Sequence, residues 1–313
     1  MPFKLTPQPF KAAIKEVEVG CGAKAIKLGG EKTFPFYSFD AEMPNAPKVG
    51  VEISDLGFEN EVAGIKDFYG DVTNVVEMAK KAAAMEGADF VVLRLEGADP
   101  NGVNKSVDEC AELAKAVADA IDAPLAIMGC KNDEKDGELL VKVSEVLEGK
   151  NAMILSAKEA NYKTIGASAG MAYGQKVGAE SAVDINLAKQ LNVLLTQLGV
   201  KGETVVMNLG TAAAGYGYEY VASTLDRTKA AALGQNDDML QMPIITPIST
   251  ETYGVKEAIA SEDDMPEWGS QETRAIDMEV VTAAACLASG SNAVILRHPA
   301  SVATVSTMIK ELM

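Results

Sequence analysis

A chain of 313 residues, 48% hydrophobic and 23% charged, has the composition of a folded globular protein. Its 28 Lys and Arg stand against 45 Asp and Glu, and the formal charge of −17 opposes binding to nucleic-acid phosphates or to anionic membrane surfaces. The cysteines, Cys21, Cys110, Cys130 and Cys286, form no CxxC pair, and His298 is the single histidine, so the ligand spacing of a zinc or iron–sulfur centre is missing.

The first 47 residues read as an arm. MPFKLTPQPFKAAIKEVEVG lacks the apolar core of a signal peptide, KEVEVGCGAKAIKLGG reads as a hairpin, and Phe34, Phe36, Tyr37 and Phe39 follow. Five of the eight Phe, beginning with Phe3, lie in the first 39 residues, so the arm is expected to be buried against the barrel floor or another chain. Short, nearly continuous apolar runs then recur as candidate strands: Val49–Ile53, Phe90–Leu95, Leu125–Met128, Ala152–Leu155, Lys176–Glu180, Val205–Leu209, Ile244–Pro247 and Ala293–Arg297. Between them, segments such as DECAELAKAVADAID and DINLAKQLNVLLTQLGV carry apolar residues at i, i+3, i+4 and i+7, the period of amphipathic helices. Eight successive βα units predict an α/β fold, a TIM (β/α)8 barrel over residues 48–313 behind the hairpin arm of residues 1–47. A doubly wound sheet needs a glycine-rich phosphate loop after its first strand, and SDLGFENEVAG holds no GxGxxG. No apolar run approaches the ~20 residues that span a bilayer, and a cytoplasmic protein with reduced thiols is expected.

In such a barrel the chemistry sits at the C-terminal ends of the strands. Glu52, Arg94, Glu96 and Arg297 occupy such ends on three strands that become neighbours when strand eight closes onto strand one, so they are expected to form one alternating ring of charge. That ring is either a structural ion network or an anchor for a polar ligand edge. Asn208 ends strand six, and Gly210, Gly215 and Gly217 follow it in a loop where backbone can approach a ligand or partner closely. Asp184 stands where an N-cap belongs. The stretch after strand seven, with Trp268 among acids, is a lid, a docking surface or a plain insertion. His298 reads as a hydrogen-bonded wall residue rather than a base, and Lys176, at a strand entrance, is the one lysine placed within a strand.

The segments VGVEISD, DFVVLRLEGADPN, APLAIMGC, NAMILSAKEANY, SAVDINLAKQLNVLLTQLG and AVILRHP resemble the small subunit of the corrinoid iron–sulfur protein of the acetyl-CoA (Wood–Ljungdahl) pathway and its archaeal acetyl-CoA decarbonylase/synthase delta relatives. The likeness runs from about residue 40 to the end. It implies a non-catalytic barrel subunit of a heterodimeric methyl carrier. Cobalamin would be held mainly by the large subunit, which alone would carry the iron–sulfur cluster, and the mouth of this barrel would cover it. The family passes a methyl group from a methyltetrahydrofolate methyltransferase to acetyl-CoA synthase. The D-x-H-x-x-G loop of cobalamin carriers is absent here, as ILRHPAS shows. Asn208, Thr211, Tyr216, Thr246, Ser249, Thr250 and Arg297 are expected to rim the mouth and meet the amide-fringed edge of the corrinoid. The barrel also resembles pterin-binding methyltransferases, so a free-standing enzyme of that type, using Asn208 and Asp184, is the rival.

Overall fold

The computed structural model describes residues 6–313, so Phe3 lies outside the described residues. Two short strands, β1 (Val17–Val19) and β2 (Ile26–Leu28), pair antiparallel as the expected hairpin. Eight more follow: β3 (Lys48–Ser54), β4 (Phe90–Arg94), β5 (Leu125–Met128), β6 (Met153–Ala157), β7 (Lys176–Glu180), β8 (Val205–Asn208), β9 (Ile244–Pro247) and β10 (Ala293–Leu296). All eight pair in parallel, and β10 closes onto β3 with Leu296 opposite Val51. Both faces of these strands are covered, which is why each reads as an unbroken apolar run instead of an alternating one.

Helices pack around the barrel: α1 (Ala63–Tyr69), α2 (Val75–Ala83), α3 (Val107–Ala120), α4 (Asp133–Val146), α5 (Tyr162–Ile165), α6 (Ile185–Leu198), α7 (Tyr218–Lys229), α8 (Ile248–Thr252), α9 (Lys256–Ile259), α10 (Gln271–Ser289) and α11 (Pro299–Leu312). Their starts follow local chemistry. Ser106 and Glu109 form a reciprocal capping box on α3, and Asp184 caps α6 by accepting from the Asn186 and Leu187 N–H groups. The long stretch after β9 is not a bare loop, because it folds into α8, α9 and the start of α10.

Side chains inside the barrel come from alternate positions along each strand. Phe90, Val92, Ala126, Met153, Val206 and Ile295 fill the lower interior, and Val17, Val19, Ile26 and Leu28 of the hairpin close it from below. Asn151 ties the hairpin down by donating from Nδ2 to the carbonyls of Glu18 at 3.1 Å and Gly20 at 2.8 Å. The aliphatic hairpin therefore takes the place at the floor. The aromatic run is left to stack on itself, Phe34 on Phe10 at 5.0 Å and Tyr37 on Phe39 at 5.0 Å. Phe10 and Phe34 pack against the core, but Tyr37 and Phe39 remain 47% and 50% exposed, so of the two expected sites of burial the barrel floor does not receive them.

A buried ion pair fixes the arm's return. Lys229, at the end of α7, reaches Glu31 Oε1 at 2.5 Å and Asn292 Oδ1 at 2.9 Å with almost no solvent contact.

Candidate functional site at the barrel mouth

Alternation that places Val92 and Ile295 inside the barrel also turns Arg94 and Arg297 inward at the strand ends, where they meet Glu52 of β3. Arg297 Nη2 donates to Glu52 Oε1 at 2.5 Å, and Arg94 Nη1 stands 3.5 Å from the same oxygen. Arg94 Nη2 pairs with Glu96 Oε2 at 2.8 Å, and Arg297 Nη1 with Glu61 Oε1 at 2.8 Å. The expected alternation of charge is present, and Glu61 extends it by one member. Ser249 Oγ and Thr250 Oγ1 donate to Glu52 Oε2 at 2.6 and 3.2 Å. Glu52 is fully buried, which alone would raise its pKa. The charges of Arg297 and Arg94 and the Ser249 hydrogen bond outweigh burial and hold it at about 2. Arg297 is held up in turn by Glu52 and Glu61 against its own burial, and its guanidinium lies 4.8 Å from the centre of the Tyr253 ring.

Behind this ring stands a second buried carboxylate. Glu279 of α10 accepts from the backbone N–H of Arg297 at 2.7 Å and of His298 at 3.2 Å, and burial pushes its pKa up to about 7. His298 Nδ1 accepts from the Ala300 N–H at 3.0 Å and so caps α11. Because an amide can only donate, that ring nitrogen carries no proton. Nε2–H therefore donates to Glu272 Oε1 at 2.6 Å, and the histidine is a wall residue with both nitrogens engaged.

The mouth itself has two lobes. One, of about 420 Å³, lies over β5 to β8 and is lined by Ser156, Lys158, Glu180, Asn208, Thr211 and the strained turn at Ala182 and Val183. The other, of about 570 Å³, lies over Glu61, Arg94, Tyr253 and Arg297. Lys131 and Thr250 line both, and Lys131 Nζ reaches Glu251 across the opening at 3.4 Å.

Of the rim residues expected from sequence, Asn208, Thr211, Thr250 and Arg297 line these lobes. Ser249 lies beneath the surface, fully buried and bonded to Glu52. Thr246 is not on the rim. Its neighbour Ile245 faces into the barrel, so Thr246 faces outward and pairs with Ser291 Oγ at 2.8 Å. Tyr216 is outside both lobes, on the surface, with its hydroxyl donating to Glu257 of the α9 region. Lys176 is at the opposite end of the barrel, near Glu18 and Cys21 of the hairpin, where burial lowers its pKa. Glu61, Lys131, Ser156, Lys158 and Glu251 were not singled out as site residues from sequence. Position after the expected strand ends at Met128 and Leu155 was the available signal for both lysines and for Ser156, which the structure includes in β6 where its register against β7 shifts between Ile154 and Ala157.

Fold and mouth together define a (β/α)8-barrel protein with a polar, charge-paired basin at the C-terminal ends of its strands. Solved barrels of the same architecture include dihydropteroate synthases from Xanthomonas albilineans, with 4-aminobenzoic acid (TM-score 0.56, 12% identity, 95% of this chain and 98% of that one), and from Yersinia pestis, with a sulfonamide drug (TM-score 0.57, 12% identity, 85% and 93%). At such low identity they share the fold. The chain belongs to the CO dehydrogenase/acetyl-CoA synthase delta subunit family, whose family model matches residues 16–304. Subunit delta 2 of the acetyl-CoA decarbonylase/synthase complex of Methanosarcina acetivorans is 33% identical over 299 residues, covering 94% of this chain and 67% of that protein. The delta subunits of Archaeoglobus fulgidus (31%, 99% of this chain and 71% of that one) and Methanocaldococcus jannaschii (31%, 97% and 75%) are similar over the same span. The resemblance noted in the sequence is borne out.

Proposed function

We propose that this chain is the barrel subunit of a corrinoid methyl carrier, and that its mouth covers one side of a cobalamin held chiefly by a larger, cluster-bearing partner. The observation that carries this reading is the state of the charges. Each of the four cations lining the two lobes, Arg94, Lys131, Lys158 and Arg297, is in an ion pair. A surface neutralised in this way suits contact with a large neutral ligand edge better than proton transfer or nucleophilic attack.

The donor set fits the amide-fringed edge of a corrinoid rather than its metal. Asn208, Thr211, Thr250 and Ser156 offer hydroxyl and amide groups, whereas His298 has both ring nitrogens engaged and Cys130 is buried, its thiol pushed up to about 11 by that burial. When bound, the corrinoid supplies a metal that accepts and hands on a methyl group. This chain would hold the corrinoid's edge and keep water from that face. Its partners would then be the corrinoid large subunit, a methyltetrahydrofolate methyltransferase and acetyl-CoA synthase. No helix among the described residues is long and apolar enough to cross a membrane, and we place the assembly in the cytoplasm.

Co-expression is the test. The chain alone should be colourless, contain no iron and bind cobalamin more weakly than micromolar, while co-expression with a cluster-bearing corrinoid subunit should yield a stable 1:1 pair. Micromolar binding by the chain alone would overturn the shared site. Turnover of methyltetrahydrofolate by the chain alone would favour the rival pterin enzyme.

A further inference from the structure

Among the described residues, the non-glycine positions with left-handed backbone that are not Asn are Phe36, Lys131, Ala182 and Val183, and the last three all line the 420 Å³ lobe, with φ of 70°, 46° and 64°. For a β-branched residue such as Val183 this conformation is a true outlier, and backbone strain of this kind collects at ligand clamps.

The polar groups beside this turn are unequally satisfied. Asn208 is spent on its neighbours: Nδ2 donates to Ser156 Oγ at 3.1 Å and Glu180 Oε2 at 3.3 Å, and Oδ1 accepts from the Gly210 N–H at 3.0 Å. Ser156 Oγ thus accepts a hydrogen bond, while its own O–H has no acceptor among the described residues. Glu180 Oε1 has only Lys158 Nζ, 3.7 Å away and beyond hydrogen-bond length. Lys158 commits one of its three protons to Asp133 at 2.8 Å. The lobe therefore displays a carboxylate acceptor next to hydroxyl and ammonium donors, all indexed to one fixed amide. A planar group carrying both an NH₂ and a C=O satisfies that pattern. A carboxylate would meet Glu180 with like charge, and an ester has no proton to give it.

We propose that this lobe is a primary-carboxamide subsite, with Glu180 accepting from the amide N–H and Ser156 and Lys158 donating to its carbonyl. The inference rests on the reading of the chain as a corrinoid cover, and it assigns to Glu180, Ser156 and Lys158 the recognition of a peripheral carboxamide.

The test uses the assembled two-subunit protein, stripped of corrinoid and titrated by visible absorbance with dicyanocobinamide and with dicyanocobyrinic acid heptamethyl ester, in which every carboxamide is an ester. Glu180→Ala should weaken cobinamide binding about tenfold and leave ester binding within about twofold of wild type, the loss expected for one charge-assisted hydrogen bond. Glu180→Gln, which keeps the side chain's size but removes the charge from the acceptor of the amide N–H, should change the ratio in the same direction by a smaller factor and carries the test if the alanine variant does not assemble. An unchanged ratio, or equal loss for both ligands, overturns the subsite while leaving the covering role intact. If the wild-type pair binds neither ligand, the covering role fails as well.

Discussion

Glu52 and Arg297 meet at 2.5 Å across the seam where β10 pairs with β3, so the ion pair at the centre of the mouth also spans the closure of the barrel. The two residues are 245 positions apart in sequence. Their meeting follows from register: Leu296 lies opposite Val51, and the next residues along both strands are Arg297 and Glu52. Two arginines share one carboxylate, and Glu61 and Glu96 take up what Glu52 leaves over.

Glu52→Gln should therefore leave Arg297 underbalanced in a buried site and cost roughly 3 kcal/mol. The midpoint of urea unfolding reads this directly. A loss within ~0.5 kcal/mol would mean that the ring behaves as if solvated.

The buried carboxyl of Glu279 predicts an unusual pH dependence. Its pKa is raised by burial to about 7 from an ordinary 4.5, so between these values the folded state holds a proton that the unfolded state releases. The stability it contributes is fully present below pH ~4.5 and is lost as pH rises through about 7. Glu52 acts in the opposite sense, because its pKa is depressed to about 2 and its contribution is lost only as pH falls through that value. Thermal unfolding between pH 5 and 8 should show the decline in wild type, and Glu279→Gln should flatten it. A wild-type curve already flat over this range would refute the assignment.

At the other end of the barrel, Lys229→Met should strand Glu31 as a buried unpaired carboxylate and cost about 3–5 kcal/mol. The double variant Lys229→Met/Glu31→Gln should recover part of that loss, since the penalty belongs to the orphaned charge. Limited proteolysis should also find the single variant cut within the arm, which Glu31 helps to anchor. Equal loss in the single and double variants would assign the effect to packing instead of charge.

The eight barrel strands were legible because burial on both faces forces unbroken apolar runs, and the order of closure made the Glu52, Arg94 and Arg297 cluster predictable. Asp184 was readable as a cap because capping is local. Residue type at a strand end did not reveal facing, so Thr246 was expected on the rim although the alternation set by Ile245 turns it outward. Lys229 lies 198 residues from Glu31, and nothing in either neighbourhood announces the other. The left-handed turns at Lys131, Ala182 and Val183 gave no glycine to mark them. Local periodicity and hydropathy act over a few residues and so fixed the elements and their order. Side-chain pairing and backbone strain depend on which elements touch once the barrel closes, and that is where the two lobes, the buried lysine and the carboxamide-matched polar group were decided.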